Sequence, residues 1–339
     1  MNANVVPVGS LSGDQVRSVL TAAASAPSLH NSQPWRFRCT PAAIELYADT
    51  SRAVAVADPH HRELLLSCGA ALVNLRVAIR ALGVHPDVQL LPDTGEPDLL
   101  AVVRPQGHSV ITSVDRRLAA AMGHRRTNRM PFSPTTIDGA LLNGLRQVAK
   151  LEQSWMATPD AAQLPFLRTL IRQAHETQQR DPAFVSEWSH WTGRPPDSPD
   201  GVPTRNAGPL PEEQDEWVLR DFSDGHARPR VDGKDFEPNP LIAVIGTFHD
   251  LPLAQLQAGQ GMQRVLLTAT ADGLSASFLS AVVEVAATRK QLRDLIVGGL
   301  WPQAVLRLGY GSPVPATPRR DLEDMLDGAG GRFRASVTD

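Results

Sequence analysis

This sequence has few cysteines and few aromatic residues, a small net charge and no long apolar run. The 339 residues include 2 cysteines and 5% aromatic residues, and the formal net charge is −3. Cys39 and Cys68 form neither a CxxC pair nor a disulfide framework. No long block of one charge sign gives the electrostatic footprint of a general nucleic-acid binder. Charged or polar residues interrupt each apolar stretch before it reaches the roughly 20 residues of a membrane span. These absences predict a cytoplasmic protein that binds a small molecule rather than nucleic acid or a membrane.

The remaining composition is that of a globular protein with a mainly aliphatic core. Hydrophobic residues make up 42% of the chain and charged residues 20%. A chain of 339 residues exceeds the usual size of one domain. We therefore expect either two domains or two half-units that share one core.

Apolar spacing predicts two similar cycles of helices and strands. The first cycle begins with a helix over residues 12–26, where Ser12 and Gln15 form a capping box. Strands are expected over residues 35–39, 43–48 and 99–103, and a helix over residues 63–82. The second cycle has predicted helices over residues 113–122, 137–148 and 261–271, strands over residues 241–248 and 306–311, and a final helix over residues 321–326.

A pair of glycines with the same spacing occurs once in each cycle. Gly69 and Gly83 are 83 − 69 = 14 positions apart, and Gly259 and Gly273 are 273 − 259 = 14 positions apart. The second pair follows the first at an offset of 190 residues, and apolar positions match at the same offset. This pattern predicts a diverged internal repeat. The alternative is two unrelated buried helices that each end in glycine.

Residues 181–240 differ from both cycles because proline, glycine, aspartate and arginine crowd this stretch. A long irregular segment within a compact protein is usually a lid, a binding loop or disordered. Trp188, Trp191 and Trp217 lie within it, and such side chains need a surface to pack against. We interpret the segment as a lid-like insertion.

Two polar segments carry the strongest indications of ligand binding. Residues 26–37 offer hydroxyl, amide and backbone N–H groups to a polar planar ligand, but they fit an ordinary polar turn equally well. Residues 124–132 contain three arginines and a threonine, a set that suits a phosphate but is also common in solvated basic turns. Arg319 and Arg320 either join that phosphate site or are exposed charges.

These motifs together resemble the nitroreductase family. Ala26-Pro27-Ser28, Asn31 and Gln33-Pro34-Trp35 are similar to its flavin-contacting segment, Arg125-Arg126-Thr127-Asn128-Arg129 to its arginine segment, and residues 309–320 to its C-terminal signature. The resemblance implies an α+β fold with a mixed, mainly antiparallel sheet flanked by helices. Family members are usually homodimers with FMN (flavin mononucleotide) bound at each subunit interface.

The order of the motifs is reversed relative to an ordinary family member, in which the arginine segment comes first. A fusion of two subunit-like halves, residues 1–115 and 116–339, explains the reversal. The chain would then be a monomer acting as its own dimer, although further association stays open. This tandem arrangement resembles the Acg-type nitroreductases of actinobacteria, which are associated with dormancy.

The resemblance implies one FMN per chain, because only one combination of motifs is complete. Residues 5–11 contain no arginine segment, and no second Pro-Ser-x-x-Asn segment follows Trp155. The implied FMN contacts are Ser28, Leu29, His30, Asn31 and Ser32 from the first half, and Arg125, Arg126, Thr127, Arg129, Gly273, Leu274, Arg319 and Arg320 from the second half.

The function implied by the resemblance is NAD(P)H-dependent reduction of nitro or quinone-type acceptors, with the chemistry carried by the flavin and by no catalytic side chain. The chain has no glycine-rich dinucleotide fingerprint and no His, Cys or carboxylate spacing typical of a metal site. The alternative is a flavin-sequestering or flavin-sensing protein whose insertion forms a closed cover and which has little or no reductase activity.

Overall fold

The computed structural model describes residues 5–92, 95–212, 215–217, 219–227, 237 and 240–327. It has an α+β fold built on two four-stranded antiparallel sheets. Each sheet is accompanied by helices, as expected. The resemblance led us to expect mixed sheets, but the sheets are not mixed, because neighbouring strands in both sheets are antiparallel. In the described ranges, parallel pairing is limited to isolated bridges such as Phe37 with Leu326 and Thr127 with Ala276.

The first sheet is formed by residues before position 110. Its strands lie in the order β1-β2-β4-β3. Ser12 caps α1, and the capping box with Gln15 is confirmed. The elements are α1 (Gly13–Ala24), β1 (Trp35–Cys39), β2 (Ile44–Ala48), α2 (Arg62–Ala81), β3 (Val84–Leu90) and β4 (Leu99–His108).

The second sheet has the equivalent strand order, β5-β6-β8-β7. A 3-10 helix, Leu322–Met325, follows it where a helix was predicted. The elements are α3 (Ser113–His124), α4 (Gly139–Lys150), β5 (Trp155–Ala157), α5 (Leu164–Gln179), α6 (Pro182–Trp191), β6 (Leu241–Thr247), α7 (Pro252–Ala271), β7 (Ser275–Phe278), α8 (Ala281–Glu284), α9 (Ala286–Val297) and β8 (Trp301–Gly309).

Two predicted elements need correction. The helix predicted over residues 261–271 begins at Pro252, because proline is well suited to the first turn of a helix and the internal glycines do not interrupt it. Residues 181–240, predicted to be irregular, begin with the ten-residue helix α6. Asp181 caps α6 by accepting a hydrogen bond from the Ala183 N–H, with Pro182 in the first turn.

Helices α2 and α7 pack directly against each other in the centre of the molecule. Each has 20 residues, and α7 begins and ends 190 positions after α2 begins and ends, which is the same offset that relates the glycine pairs. A Cβ atom on Gly69 would lie 2.2 Å from the Leu256 carbonyl oxygen, and one on Gly259 would lie 2.1 Å from the Leu66 carbonyl oxygen. Leu66 and Leu256 are themselves 190 positions apart, so the two helices make reciprocal backbone contacts.

Helix α2 is also long and apolar enough to cross a membrane by length and composition. However, 78% of its apolar window is buried inside the protein. Leu66, Leu72 and Ile79 belong to the main core, together with Met262 of α7 and residues from both sheets. The apolar surface of α2 is therefore used for core packing.

The helix crossing predicts a large loss of stability for Gly69→Ala. The added methyl group meets backbone atoms of α7, which cannot move aside as a flexible side chain could, so we expect a loss of about 3 kcal/mol or more. Gly144→Ala in α4 is the matched control, since a Cβ atom there has no neighbour within 4 Å. Urea unfolding should show Gly144→Ala unchanged or more stable by up to about 1 kcal/mol. Equal stability of both variants would contradict the close crossing.

Candidate functional site

Three separate segments converge on one cavity of about 240 Å³. They are the loop after α1, the segment after α3 and the chain that follows β8, with Val202 of the insertion beside them. We call this site the arginine cavity. It is lined by Ser25, Pro27, Ser28, Asn31, Met122, Gly123, Arg125, Arg126, Thr127, Arg129, Val202, Ala316, Thr317 and Arg319.

The loop after α1 has an unusual backbone conformation. His30, Asn31 and Gln33 all have positive φ angles, of 48°, 58° and 53°, in a region that non-glycine residues seldom adopt. The Ser28 hydroxyl oxygen accepts a hydrogen bond from the Gln33 N–H at 2.9 Å. The Gln33 amide donates to the Asn31 carbonyl at 3.1 Å and to the Pro199 carbonyl at 2.8 Å. Gln33 therefore satisfies the protein's own carbonyls and holds a strained loop, a feature typical of functional sites.

Asn128 fixes the arginine segment against the second sheet. Its N–H donates to the Ala276 carbonyl at 2.8 Å, and its side-chain amide donates to the Ser312 carbonyl at 2.9 Å. Thr127 makes a parallel bridge with Ala276 of β7. These contacts hold residues 127–128 against the second sheet, and Arg125 and Arg129 line the cavity.

Arg319 connects the chain after β8 to the end of α1. Its guanidinium donates to the carbonyl oxygens of Ser25 at 3.2 Å and Ala26 at 3.1 Å, the first two residues after the helix. The buried Arg319 Nε has no hydrogen-bond partner, and the same is true of the buried Asn31 Oδ1. Buried polar atoms without partners are rare and indicate a ligand or ordered water. Both atoms belong to residues that line the arginine cavity.

The arginine cavity carries uncompensated positive charge. Four arginines line it and no carboxylate does, and within the described part of the chain none of the four forms an ion pair. Burial, together with the charges of Arg319 and Arg126, lowers the pKa of Arg125 to about 9. Burial also lowers the pKa of Arg319 to about 10. All four guanidinium groups stay charged at neutral pH, so the cavity is suited to a small anion such as a phosphate.

A second, more apolar cavity continues from the first. The two share Pro27, Ser28, Thr127 and Arg129, so they form one groove. We call the second part the apolar cavity. It is lined by Pro27, Ser28, Leu29, His30, Glu63, Leu66, Ser67, Thr127, Arg129, Phe222, Met262, Phe278 and Ser280.

The insertion covers the groove at Arg129. The Arg129 guanidinium lies 4.1 Å from the centre of the Phe222 ring and donates to the Asn206 carbonyl at 2.9 Å. Burial and the charge of Arg220 lower the pKa of Arg129 to about 10. Trp188 packs edge-on against His30, with ring centres 5.0 Å apart. Thus aromatic residues of the insertion contact both polar segments that the sequence singled out.

Two titratable groups of the apolar cavity have strongly displaced pKa values. Burial, reinforced by the charges of Arg220 and Arg129, lowers the pKa of His30 to about 3, so its imidazole is neutral. Burial and the neighbouring carboxylate of Glu284 raise the pKa of Glu63 to about 7, although the Arg62 guanidinium pairs with it. Glu63 therefore changes protonation near neutral pH inside the groove.

Nine of the thirteen residues implied by the family resemblance line the groove. They are Ser28, Leu29, His30, Asn31, Arg125, Arg126, Thr127, Arg129 and Arg319.

The structure places the other four elsewhere. The Ser32 carbonyl accepts a hydrogen bond from Arg52. The Arg320 guanidinium donates to the Asp324 carbonyl, away from both cavities. Gly273, with φ of 81°, ends α7, and Leu274 is buried in the core. These four residues are not among those that line the two cavities, and their contact with FMN stays a prediction.

Sequence reasoning also missed part of the lining. Glu63, Leu66 and Ser67 lie on the first turns of α2, and Met262 lies on α7. Their apolar or helical spacing indicates only a core helix. Phe222 lies in the insertion, where no periodic pattern marks it. In the described ranges, no cluster of three or more His, Cys, Asp or Glu residues could hold a metal ion.

The chain has close relatives among curated proteins, while no protein-family model matches it. The protein named "Putative NAD(P)H nitroreductase Rv3131" of Mycobacterium tuberculosis H37Rv is 34% identical over 319 residues, covering 93% of this chain and 91% of that protein. The protein named "Putative NAD(P)H nitroreductase acg" of the same strain is 30% identical over 322 residues, covering 92% and 95%.

Solved nitroreductase structures are more distant. The "putative nitroreductase" of Anabaena variabilis has a TM-score of 0.45 at 11% identity, covering 87% of this chain and 73% of that one. The FMN-dependent nitroreductase NfnB of Mycobacterium smegmatis in complex with NADPH has a TM-score of 0.36 at 13% identity, covering 66% and 100%. The sequence relatives decide the assignment: the chain belongs to the family of NAD(P)H nitroreductases that includes Acg and Rv3131.

The raised pKa of Glu63 predicts a pH-dependent difference between the protein and its Glu63→Gln variant. Between pH 4.5 and about 7 the native carboxyl keeps a proton that the unfolded chain releases, so the wild-type protein loses stability as pH rises through this window. The variant does not titrate there. Its stability relative to wild type should rise by on the order of 3 kcal/mol from pH 4.5 to 8.

Urea unfolding of the flavin-free protein at several pH values measures this difference. Glu176→Gln, at an exposed position of α5, is the control and should give a nearly constant difference. A constant difference for Glu63→Gln as well would contradict the displaced pKa.

Proposed function

We propose that this chain is an FMN-binding, NAD(P)H-dependent reductase of nitro or quinone-type acceptors. One observation carries the proposal: a cavity lined by four arginines that form no ion pair with the described residues opens into an apolar cavity. This combination of charge and apolar surface matches a ligand that has a phosphate at one end and a flat ring system at the other. The family membership of the chain supports the same function.

The residues present fit such a ligand. Arg125, Arg126 and Arg319 would hold the phosphate, because their guanidinium groups have no acidic partner among the described residues. The Arg319 Nε, which has no partner among the described residues, would donate a hydrogen bond to the phosphate, and the Asn31 Oδ1 would accept one from a hydroxyl of the ribityl chain of FMN. The ring would lie in the apolar cavity, beside Ser28, Leu29 and His30 of the loop after α1 and beside Thr127 of the arginine segment.

FMN, when bound, supplies the two-electron chemistry by accepting hydride from NAD(P)H and passing electrons to the acceptor. The side chains of this protein orient it and control its surroundings. Arg129 lies where the two cavities join and places a permanent positive charge beside the ring. Leu66, Met262 and Phe222 form apolar walls of this cavity and would exclude water from the bound ring.

We also propose that the chain forms an intrachain pseudo-dimer of two nitroreductase-like halves, residues 1–115 and 116–339. Three observations support it: the equivalent strand orders, the equal lengths of α2 and α7, and their reciprocal glycine contacts. The groove takes residues from both halves, as a site at a subunit interface does. One complete combination of the sequence motifs that line this groove predicts one FMN per chain.

The first test is the flavin content of the purified protein, which we expect to be about one FMN per chain. Arg125→Gln should lower the affinity for FMN by on the order of tenfold or more, because a charge-assisted hydrogen bond to the phosphate is lost. Arg116→Gln is the matched control, since Arg116 lies exposed on α3, the helix that precedes Arg125, and outside the cavity. Fluorescence titration of the flavin-free proteins with FMN measures both affinities.

Absence of flavin from the wild-type protein, together with no binding in the titration, would reject the flavin site. Equal affinities of Arg125→Gln and Arg116→Gln would reject the role of the arginine cavity.

A second candidate function, flavin sequestering or sensing, is favoured by the number of contacts that fasten the insertion. Arg52 forms an ion pair with Asp200 at 2.5 Å, and Arg220 forms one with Glu284 at 2.5 Å. Within the insertion itself, the Trp188 indole N–H donates to the Asp221 carbonyl at 3.1 Å. In a reductase this segment moves as a lid, whereas in a sequestering protein it is a fixed cover.

Anaerobic mixing of the FMN-loaded protein with NADPH or NADH separates the two functions. The reductase predicts bleaching of the flavin absorbance within seconds. Asp200→Asn weakens the contact of the insertion with Arg52 and should speed the bleaching if opening of the insertion is slow. No bleaching in either protein, with full reduction by dithionite, would favour the closed cover.

A further inference from the structure

A third cavity borders the apolar cavity on the side of the insertion. It shares Arg129, Phe222, Phe278 and Ser280 with the apolar cavity. We call it the acceptor pocket. Its other walls come from α5, the insertion, β7 with the segment after it, and β8, and they include Ile171, His175, Trp217, Leu219, Arg220 and Arg307.

Three polar side-chain atoms on residues of this pocket are buried and have no hydrogen-bond partner among the described residues. They are His175 Nδ1, Trp217 Nε1 and Arg220 Nε. Trp217 is only 6% exposed, so its indole N–H cannot be satisfied freely by bulk water. A buried donor without a partner is destabilising, because the hydrogen bond that it makes with water is lost and not replaced. The atoms of Trp217 and Arg220 are donors, so the pocket suits a ligand that brings hydrogen-bond acceptors.

The charge of the pocket favours an anion. No carboxylate among the described residues lines it, while Arg129, Arg220 and Arg307 do. Arg220 forms an ion pair with Glu284 and Arg307 forms one with Glu237, so the net positive charge of the pocket comes from Arg129. The terminal nitrogens of Arg220 are engaged by Glu284 at 2.5 Å and by Gln178 at 2.6 Å, which leaves its Nε edge for another acceptor. Burial and the charge of Arg220 lower the pKa of His175 to about 4, so this ring is neutral. Arg129 lacks an acidic partner among the described residues, and its charge is uncompensated.

The remaining walls suit a flat ring. Ile171, Leu219, Phe222 and Phe278 are apolar, and two of them are aromatic. Small-molecule sites commonly combine apolar walls with a few convergent polar groups. We propose that the acceptor pocket binds the second substrate of the reductase, a small planar aromatic anion whose carboxylate or phenolate oxygens accept hydrogen bonds from Trp217 and Arg220. This inference rests on the proposed function for the neighbouring flavin, but the binding itself can be measured separately.

Benzoate and benzamide are the two probes, since they share a ring and differ in charge. Benzamide also resembles the nicotinamide ring of NAD(P)H, which is neutral and carries a carboxamide group. Calorimetric titration of the FMN-loaded protein should give at least tenfold tighter binding of benzoate than of benzamide. Benzoate should also perturb the visible absorbance of the flavin. Equal or tighter binding of benzamide, or no binding of benzoate, would overturn the proposal.

Trp217→Phe removes the indole N–H and keeps an aromatic ring. We expect it to weaken benzoate binding about tenfold and to leave the FMN content at one per chain. Trp301→Phe is the matched control, because Trp301 lies at the start of β8, outside all three cavities, and should change benzoate affinity less than twofold. Equal affinities of the two variants would remove Trp217 from the site.

Leu219→Asp gives an independent test that does not depend on Trp217. It places a carboxylate on the wall of the pocket at a partly exposed position and should abolish benzoate binding while affecting benzamide less than threefold. Retained benzoate binding would overturn the proposal. If the wild-type protein contains no FMN, the proposed function fails, whereas calorimetry with benzoate still reports on the pocket.

Discussion

The close crossing of α2 and α7 is the contact on which the rest of the structure depends. Because Gly69 and Gly259 lack side chains, each helix approaches the backbone of the other, and the sheets on either side are brought around one shared core. Leu66 of α2 and Met262 of α7 then form one wall of the apolar cavity. Helix α1 packs on α2, and α3 packs on α2 and α7, so the segments that follow α1 and α3 meet at the same place. The groove is thus a consequence of how these helices pack around the crossing.

Electrostatics gives that groove its chemical character. Burial and the mutual repulsion of guanidinium groups both lower the pKa of Arg125 and Arg319 and are unfavourable unless an anion offsets them. The Arg129 guanidinium also contacts the insertion, through Phe222 and Asn206. If the proposed function holds, binding of the ligand would therefore be linked to the position of the insertion through Arg129.

Sequence patterns predicted α1, α2, β1, β2 and β6 closely, but they did not predict α5 or α9, and they identified the site only in part. The helix predicted over residues 63–82 differs from α2 by one residue at each end, because apolar periodicity and a terminal glycine act locally. The start of α7 was missed because Gly259 and Gly261 reduce helix propensity, yet Gly259 is required by the crossing. Three-residue β5 is too short to show alternation. Motif positions identified the arginine segment, whereas Phe222 and Glu63 reach the groove only through tertiary packing that no local pattern specifies.

The most direct test of this account is a crystal structure of the protein purified with its flavin. The account predicts one FMN per chain, with its phosphate between Arg125, Arg126 and Arg319 and its ring against Leu66 and Met262. An FMN phosphate bound elsewhere, or a second FMN in the opposite half of the same chain, would contradict it.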